Sequence, residues 1–135
     1  MVRHTSLILL YDSKKKVLLQ HKTKDAKALP DCWAFFGGGM EEGESPEEAV
    51  KREADEELEY DLIDPKLVLT QEFDDPYYGK GIKYIFIEEY DPKKKLILHE
   101  GKEFGWFRIK DTKALNMIHH DREALQKIKD KLDSA

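Results

Sequence analysis

The chain has 135 residues, 40% hydrophobic and 38% charged, a composition that sets an expectation of one soluble domain and excludes a disordered tail. Its longest apolar runs, Leu7 to Tyr11 among them, fall far short of the roughly 20 residues that cross a bilayer, so no membrane partner is expected. The net charge of −5 has one source, because residues 41–61 hold eleven acids against Lys51 and Arg52 and the rest of the chain is mildly basic. Cys32 is the only cysteine, which excludes an intramolecular disulfide and makes a cytoplasmic setting the default. The opening MVRHTSLILLYDSKKK lacks a small-residue cleavage pattern, and no signal peptide is expected.

In chain order, Arg3–Leu10 and Val17–His21 read as two strands joined at Asp12-Ser13-Lys14 into a hairpin. Cys32–Phe36 reads as a strand that runs into a glycine loop, Gly37-Gly38-Gly39. Ser45, Pro46 and Glu48 supply an N-cap, a first-turn proline and a capping-box acid, so a helix is expected to start at Pro46. Strands are expected over Leu67–Phe73, Ile82–Tyr90, Lys95–Leu98 and Phe104–Ile109, and a short helical turn around Thr112–Ile118. A last helix has Asp121 as its expected N-cap and repeats Leu125, Ile128 and Leu132 at helical spacing. No repeat or linker divides the chain, so the fold class is α/β (α+β), a mixed β-sheet between helices in a single domain, 1–135.

The first helix carries the chemistry. At about 100° per residue, Glu53, Glu56 and Glu57 share one sector beside the apolar stripe of Val50, Ala54 and Leu58. Solvated acids belong on the outer face, and like charges at i, i+3 and i+4 cost an isolated helix roughly 0.2–0.5 kcal/mol per pair. A divalent cation would compensate, since hard carboxylate oxygens suit Mg²⁺ or Mn²⁺, and Arg52 can pair with Glu56 or Glu48. A Glu-rich helix alone is more often a solvated surface; the glycines just before it shift the balance, because they let a ligand or ion approach the backbone. The Gly-Lys-Ser/Thr of a nucleotide P-loop is absent. A metal site from His119 and His120 fails because adjacent helical residues point about 100° apart.

The spacing resembles the Nudix hydrolase family, whose box reads G-x5-E-x7-R-E-U-x-E-E-x-G-U, with U aliphatic. Gly38, Glu44, Arg52-Glu53, Ala54 and Glu56-Glu57 fall in register across residues 38–60. Two positions depart: Glu59 stands where the family usually has glycine, and Tyr60 takes the last aliphatic position. The glycine of the pattern suits a left-handed helix cap, so its loss is expected to alter how the helix ends and to leave the carboxylates in place. Trp33 to Gly38 is similar to the strand that enters the box in many members, and Glu100-Gly101 followed by Trp106-Phe107 resembles the MutT-like subgroup.

The resemblance implies a Nudix-type α/β/α sandwich and metal-dependent hydrolysis of a pyrophosphate bond in a nucleoside diphosphate derivative, with Mg²⁺ (Mn²⁺ as substitute). It assigns Glu53, Glu57, Arg52, Glu44 and Glu100 to catalysis, with Glu53 or Glu100 as the base, and Glu103 is the nearby rival of Glu100 for the acid that completes the metal site. Gly37, Glu53, Glu56, Glu57 and Glu100 are the implied metal ligands. Gly38, Gly39, Phe73, Tyr77 and Asp121 are the candidate substrate contacts, with Lys22, Lys24 and Lys80 available to phosphates. Short length and the Glu100-to-Trp106 spacing favour a MutT-like pyrophosphatase on (deoxy)nucleoside triphosphates, including oxidised ones. Pro76, 16 residues after Tyr60, resembles the marker of ADP-ribose hydrolases, and Tyr77, at 17, that of dinucleoside polyphosphate hydrolases. A catalytically inert nucleotide-sensing module is the reading from another class. The expected partner is a small nucleotide, with no stable nucleic-acid complex at this net charge, and the chain is expected to be a monomer or homodimer.

Overall fold

The computed structural model describes residues 2–135. Strand β1 (Arg3–Tyr11) is central. Its five-residue apolar run exists because both faces are covered: Ile8 and Leu10 enter one core, Leu9 and Tyr11 the other. Along one edge β1 pairs in parallel with β6 (Gly79–Glu89), from Arg3 opposite Gly81 to Tyr11 opposite Glu89. β6 in turn pairs antiparallel with β5 (Lys66–Asp75). The other edge of β1 is shared. Near its start it takes β4 (Phe36–Gly39), and at Tyr11 it turns into β2 (Val17–His21). β2 continues to β3 (Trp33–Ala34) and to β7 (Glu103–Phe107). Helix α1 (Pro46–Leu58) covers one face through Val50, Ala54 and Leu58, and α2 (His119–Asp133) covers the other through Leu125, Ile128 and Leu132. The result is the expected mixed sheet between helices.

Four local expectations change. The run Cys32–Phe36 is two short strands, because the chain leaves β2 after Ala34 and joins β1 at Phe36. The glycines are consequently part of a strand, β4, paired with Thr5, Ser6 and Leu7. Lys95–Leu98 forms no strand. The Ile97 and His99 N–H groups instead donate to the Leu58 and Glu57 carbonyls at 3.0 and 2.8 Å, satisfying acceptors that the end of α1 leaves open. Helix α2 begins two residues before Asp121, with Ile118 as a cap that makes no side-chain bond. Asp121 is drawn from capping by a buried ammonium, described below. The helical turn before α2 is a 3-10 segment over Ile109–Ala114.

The start of α1 is as expected: Ser45 accepts from the Glu48 N–H and the Glu48 carboxylate accepts from the Ser45 N–H. At its other end Glu59 adopts φ 51°, the left-handed cap that usually falls to glycine. That conformation costs a non-glycine residue roughly 1–2 kcal/mol, against which stands an exposed side-chain contact between Glu59 and His99 Nε2 at 2.5 Å. Glu59→Gly is therefore expected to stabilise the fold by about 0.5–1 kcal/mol, read as a higher urea midpoint, with turnover unchanged. A lower midpoint would mean that the His99 pair outweighs the backbone.

Candidate active site

A cavity of about 270 Å³ opens where β1 changes partner from β4 to β2. One end of it is acidic. Glu53 and Glu57 reach it from α1, Glu100 from the segment that is hydrogen-bonded to the end of that helix, and Gly37 and Gly38 from β4.

Glu57 is buried, and its Oε1 accepts from the Gly37 N–H at 2.7 Å. Burial pushes its carboxyl up to about 8, opposed by that hydrogen bond and reinforced by the charges of Glu53 and Glu100. Glu53 is raised as well, first by burial, with Arg52 acting in the opposite sense. These acids are costly to ionise where they stand.

Arg52 ties the helix to the segment before it. Its Nε and Nη2 grip Glu44 at 2.7 and 2.9 Å, Nη1 reaches Glu53 at 3.0 Å and Glu56 at 3.3 Å, and Nη2 also donates to the Gly39 carbonyl at 3.1 Å. The guanidinium holds Glu44 down at about 2. Glu44 and Glu56 thus meet Arg52 and do not line the cavity. Glu103 pairs with His21 at 3.3 Å, whereas Glu100 faces the cavity.

The opposite end is built from β5, β6 and α2. Lys83, 2% exposed, donates to Asp121 Oδ1 and contacts His120 Nδ1, each at 2.6 Å. His120 Nε2 lies 2.8 Å from Asp75 Oδ2, and Asp75 Oδ1 accepts from the Tyr77 and Tyr78 N–H groups at 2.8 Å. Burial and the Lys83 charge lower His120, so at neutral pH it is uncharged, with Nδ1 accepting and Nε2 donating. Burial lowers Lys83 also, against the pull of the Asp121 carboxylate, which favours the charged form. Phe73 lines the cavity with its ring stacked on His120 at 4.7 Å, and Gly81 lies so close to that ring that a Cβ there would collide with it. Tyr77 is 46% exposed and outside the cavity; its neighbour Tyr78 lines it, beneath the Arg3 guanidinium. Gly39 sits outside as well, against Arg3.

Sequence reasoning passed over Lys83, Asp75, Gln20 and Arg3, and met His120 only in rejecting a metal site built with His119. The legible signal was Lys83 itself, in phase with Ile85 and Ile87, both buried, on a strand with covered faces. A charge at an inward position is there to meet something.

The NUDIX domain family model matches residues 1–128. This chain belongs to the Nudix family. It is 29% identical to the nucleoside triphosphatase NudI of Escherichia fergusonii over 93% of this chain and 96% of that one. To the RNA pyrophosphohydrolase of Nitratiruptor sp. it is 35% identical over 64% of this chain and 63% of that one. Among solved structures, the MutT protein from Methanosarcina mazei superposes with a TM-score of 0.84 at 19% identity, covering 96% of this chain and 94% of that one; this shows the fold. The chain is thus a Nudix hydrolase, an enzyme of pyrophosphate bonds, with a MutT-like fold. No helix among the described residues is long and apolar enough to cross a membrane.

Proposed function

We propose that this Nudix hydrolase is a MutT-like nucleoside triphosphate pyrophosphohydrolase of the cytoplasm, using Mg²⁺, or Mn²⁺ in its place, held at the Glu53–Glu57–Glu100 end of the cavity. The observation that carries the reading is the buried Glu57, raised to about 8 with Glu53 and Glu100 bearing on it: three acids converge, and among the described residues only Glu53 has a cationic partner within ion-pair distance, Arg52. All donors there are hard oxygens, which fit Mg²⁺. Among the described residues no three acidic, histidine or cysteine side chains close into a cage. Mg²⁺ does not require such a cage, being commonly held by one or two carboxylates together with substrate phosphates.

When bound, the ion supplies positive charge to the phosphates and polarises the phosphoryl group under attack. The chain's own part is positional. The Gly37 N–H fixes one Glu57 oxygen, Arg52 fixes Glu53, and Glu53 or Glu100 accepts the proton of the attacking water. Arg3 and Lys22 also line the cavity and bring positive charge toward the phosphates. Its volume, about 270 Å³, is at the small end of ligand pockets and favours one nucleoside over the two of a dinucleoside polyphosphate. Neither Pro76 nor Tyr77 lines it, which leaves ADP-ribose and dinucleoside polyphosphates as alternatives with less support. NudI, a named nucleoside triphosphatase, supports the same choice.

The test is phosphate and pyrophosphate release from nucleoside triphosphates, oxidised guanine nucleotides, ADP-ribose, dinucleoside polyphosphates and 5′-triphosphorylated RNA, with Mg²⁺ or with chelator. Cleavage of triphosphates that chelator abolishes is expected. Preference for another class overturns the substrate assignment, and binding without turnover on the whole panel makes the chain a sensing module.

A further inference from the structure

Of the acids at the Glu53–Glu57–Glu100 end of the cavity, two have carboxylates that the protein itself holds: the Gly37 N–H fixes Glu57, and Arg52 fixes Glu53. Glu100 is different. The side-chain bonds of its segment belong to its neighbours, His99, whose Nε2 lies 2.5 Å from Glu59, and Glu103, 3.3 Å from His21. Among the described residues none reaches the Glu100 carboxylate. Its place is therefore set by its backbone, which is pinned on both sides. Just before it, the His99 N–H donates to the Glu57 carbonyl at 2.8 Å; just after it, the Lys102 N–H donates to the His21 carbonyl at 2.7 Å.

Between the pins, Gly101 takes φ +79° and is pressed onto β2, so that a Cβ there would stand 2.8 Å from Gln20 Oε1 and 2.9 Å from the His21 carbonyl oxygen. Gln20 Oε1 is sealed and has no hydrogen-bond partner among the described residues, so it gives the turn nothing to hold. His21 does. Its ring is stacked on Trp33, with centroids 4.7 Å apart, and its nitrogens serve two segments: Nδ1 lies 3.3 Å from Glu103, and Nε2 lies 2.9 Å from Asp31 in the connection between β2 and β3.

We infer that His21 is a positioning residue for Glu100: its carbonyl holds Lys102 and its Nδ1 holds Glu103, and together they fix the turn from which Glu100 reaches the cavity. The inference rests on the proposed part of Glu100 in holding the metal ion. A carboxylate with no bond of its own goes where its backbone goes. Outer partners that orient a metal ligand are typically worth ~10–100-fold in metal affinity, and here the orienting contact is made to the chain beside the ligand.

The test is binding of Mn²⁺ to the full chain without substrate, read as loss of the free-ion EPR signal, in variants that separate the two ring nitrogens. The side-chain amide of asparagine reaches about as far as Nδ1 and that of glutamine about as far as Nε2; both substitutions remove the ring and its stack on Trp33. His21→Asn retains the bond to Glu103 and should stay within about twofold of the unaltered protein, whereas His21→Gln retains only the bond to Asp31 and should bind roughly tenfold more weakly. Glu103→Ala, at a half-exposed position, breaks the same contact from its other side and should match His21→Gln, while Glu103→Gln keeps an acceptor and should not. In the Glu100→Gln background, His21→Gln should add no further loss.

Equal losses in His21→Asn and His21→Gln, which a merely structural ring would give, overturn the inference. So do equal losses in Glu103→Ala and Glu103→Gln, or losses that add to that of Glu100→Gln. Binding weakened by Glu100→Gln and by neither change at His21 removes this inference and leaves the metal assignment standing. No Mn²⁺ binding by the unaltered protein, or binding unchanged in Glu100→Gln, overturns the part given to Glu100 and takes the inference with it.

Discussion

Glu57→Gln is expected to lower kcat at least ~10²-fold and, in the same protein, to raise the melting temperature of the metal-free form above pH 8. Both effects come from one carboxylate. In the folded chain Glu57 is raised from 4.5 to about 8 by burial, so its folded value exceeds its unfolded one. The neutral form is the one folding favours: its stabilising contribution is fully present below about pH 4.5 and is lost as pH rises through about 8. Without metal the protein should therefore become less stable across that window, by an amount on the order of a few kcal/mol once the carboxylate must ionise. The amide cannot ionise, and its oxygen still accepts the Gly37 N–H, so the variant escapes this loss. Mg²⁺ should restore stability to the unaltered protein at pH 8 and have little effect on the variant. Thermal melts at pH 5, 7 and 9, with and without Mg²⁺, decide it. Near-normal turnover in Glu57→Gln would sink the catalytic assignment, and a pH-independent melt would show that the carboxylate is solvated.

Gly37→Ala and Gly38→Ala should fail in different ways although the residues are adjacent. At Gly37 φ is +131°, and a Cβ would stand 2.2 Å from the Ser6 carbonyl oxygen and 2.7 Å from the Leu7 Cα. Those are backbone atoms of the central strand, held on both edges, so they cannot yield. The expected loss is about 3 kcal/mol or more, seen as a collapsed denaturant midpoint. At Gly38 the three atoms nearest to a Cβ would all belong to the Glu53 carboxylate, at 2.9–3.0 Å. A flexible side chain can move, so Gly38→Ala should keep most of its stability and lose turnover as Glu53 is displaced, by roughly tenfold or more. Equal stability in the two variants would refute this reading of the strand.

Much of the architecture is legible from periodicity. Ser45, Pro46 and Glu48 mark the start of α1, and the burial of Leu9 and Leu10 in opposite cores lets a plain apolar run announce a strand covered on both faces. The box spacing leads to the family and to the helix and glycines that border the cavity, although the glycines lie in a strand and not in the loop expected for them. What escapes is whatever depends on partners far away in the chain. Lys95–Leu98 looks like a strand because local pattern carries no information about α1's open carbonyls. Asp121 looks like a cap because the ammonium that claims it lies 38 residues earlier. Glu56, on the same helical sector as Glu53 and Glu57, has a side chain 56% exposed beside Arg52, a distinction of depth that a helical wheel does not make. The polar far end of the cavity draws on Asp75, Lys83 and His120 from three elements, and no spacing rule joins them.

The pairing of β1 also bears on how the chain reaches this state. Its longest partnership is the parallel one with β6, in which Arg3 lies opposite Gly81, so the two halves of the ladder are separated by some 78 residues of intervening chain. Parallel, non-local pairing closes a large loop before it is rewarded, which places such folds on the slow side of single-domain kinetics. During synthesis from the N-terminus the most apolar strand emerges first and its main partner late, after β2, β4 and α1 have already been made. In that interval β1 carries an open edge, and interrupted or overproduced chains should aggregate through it.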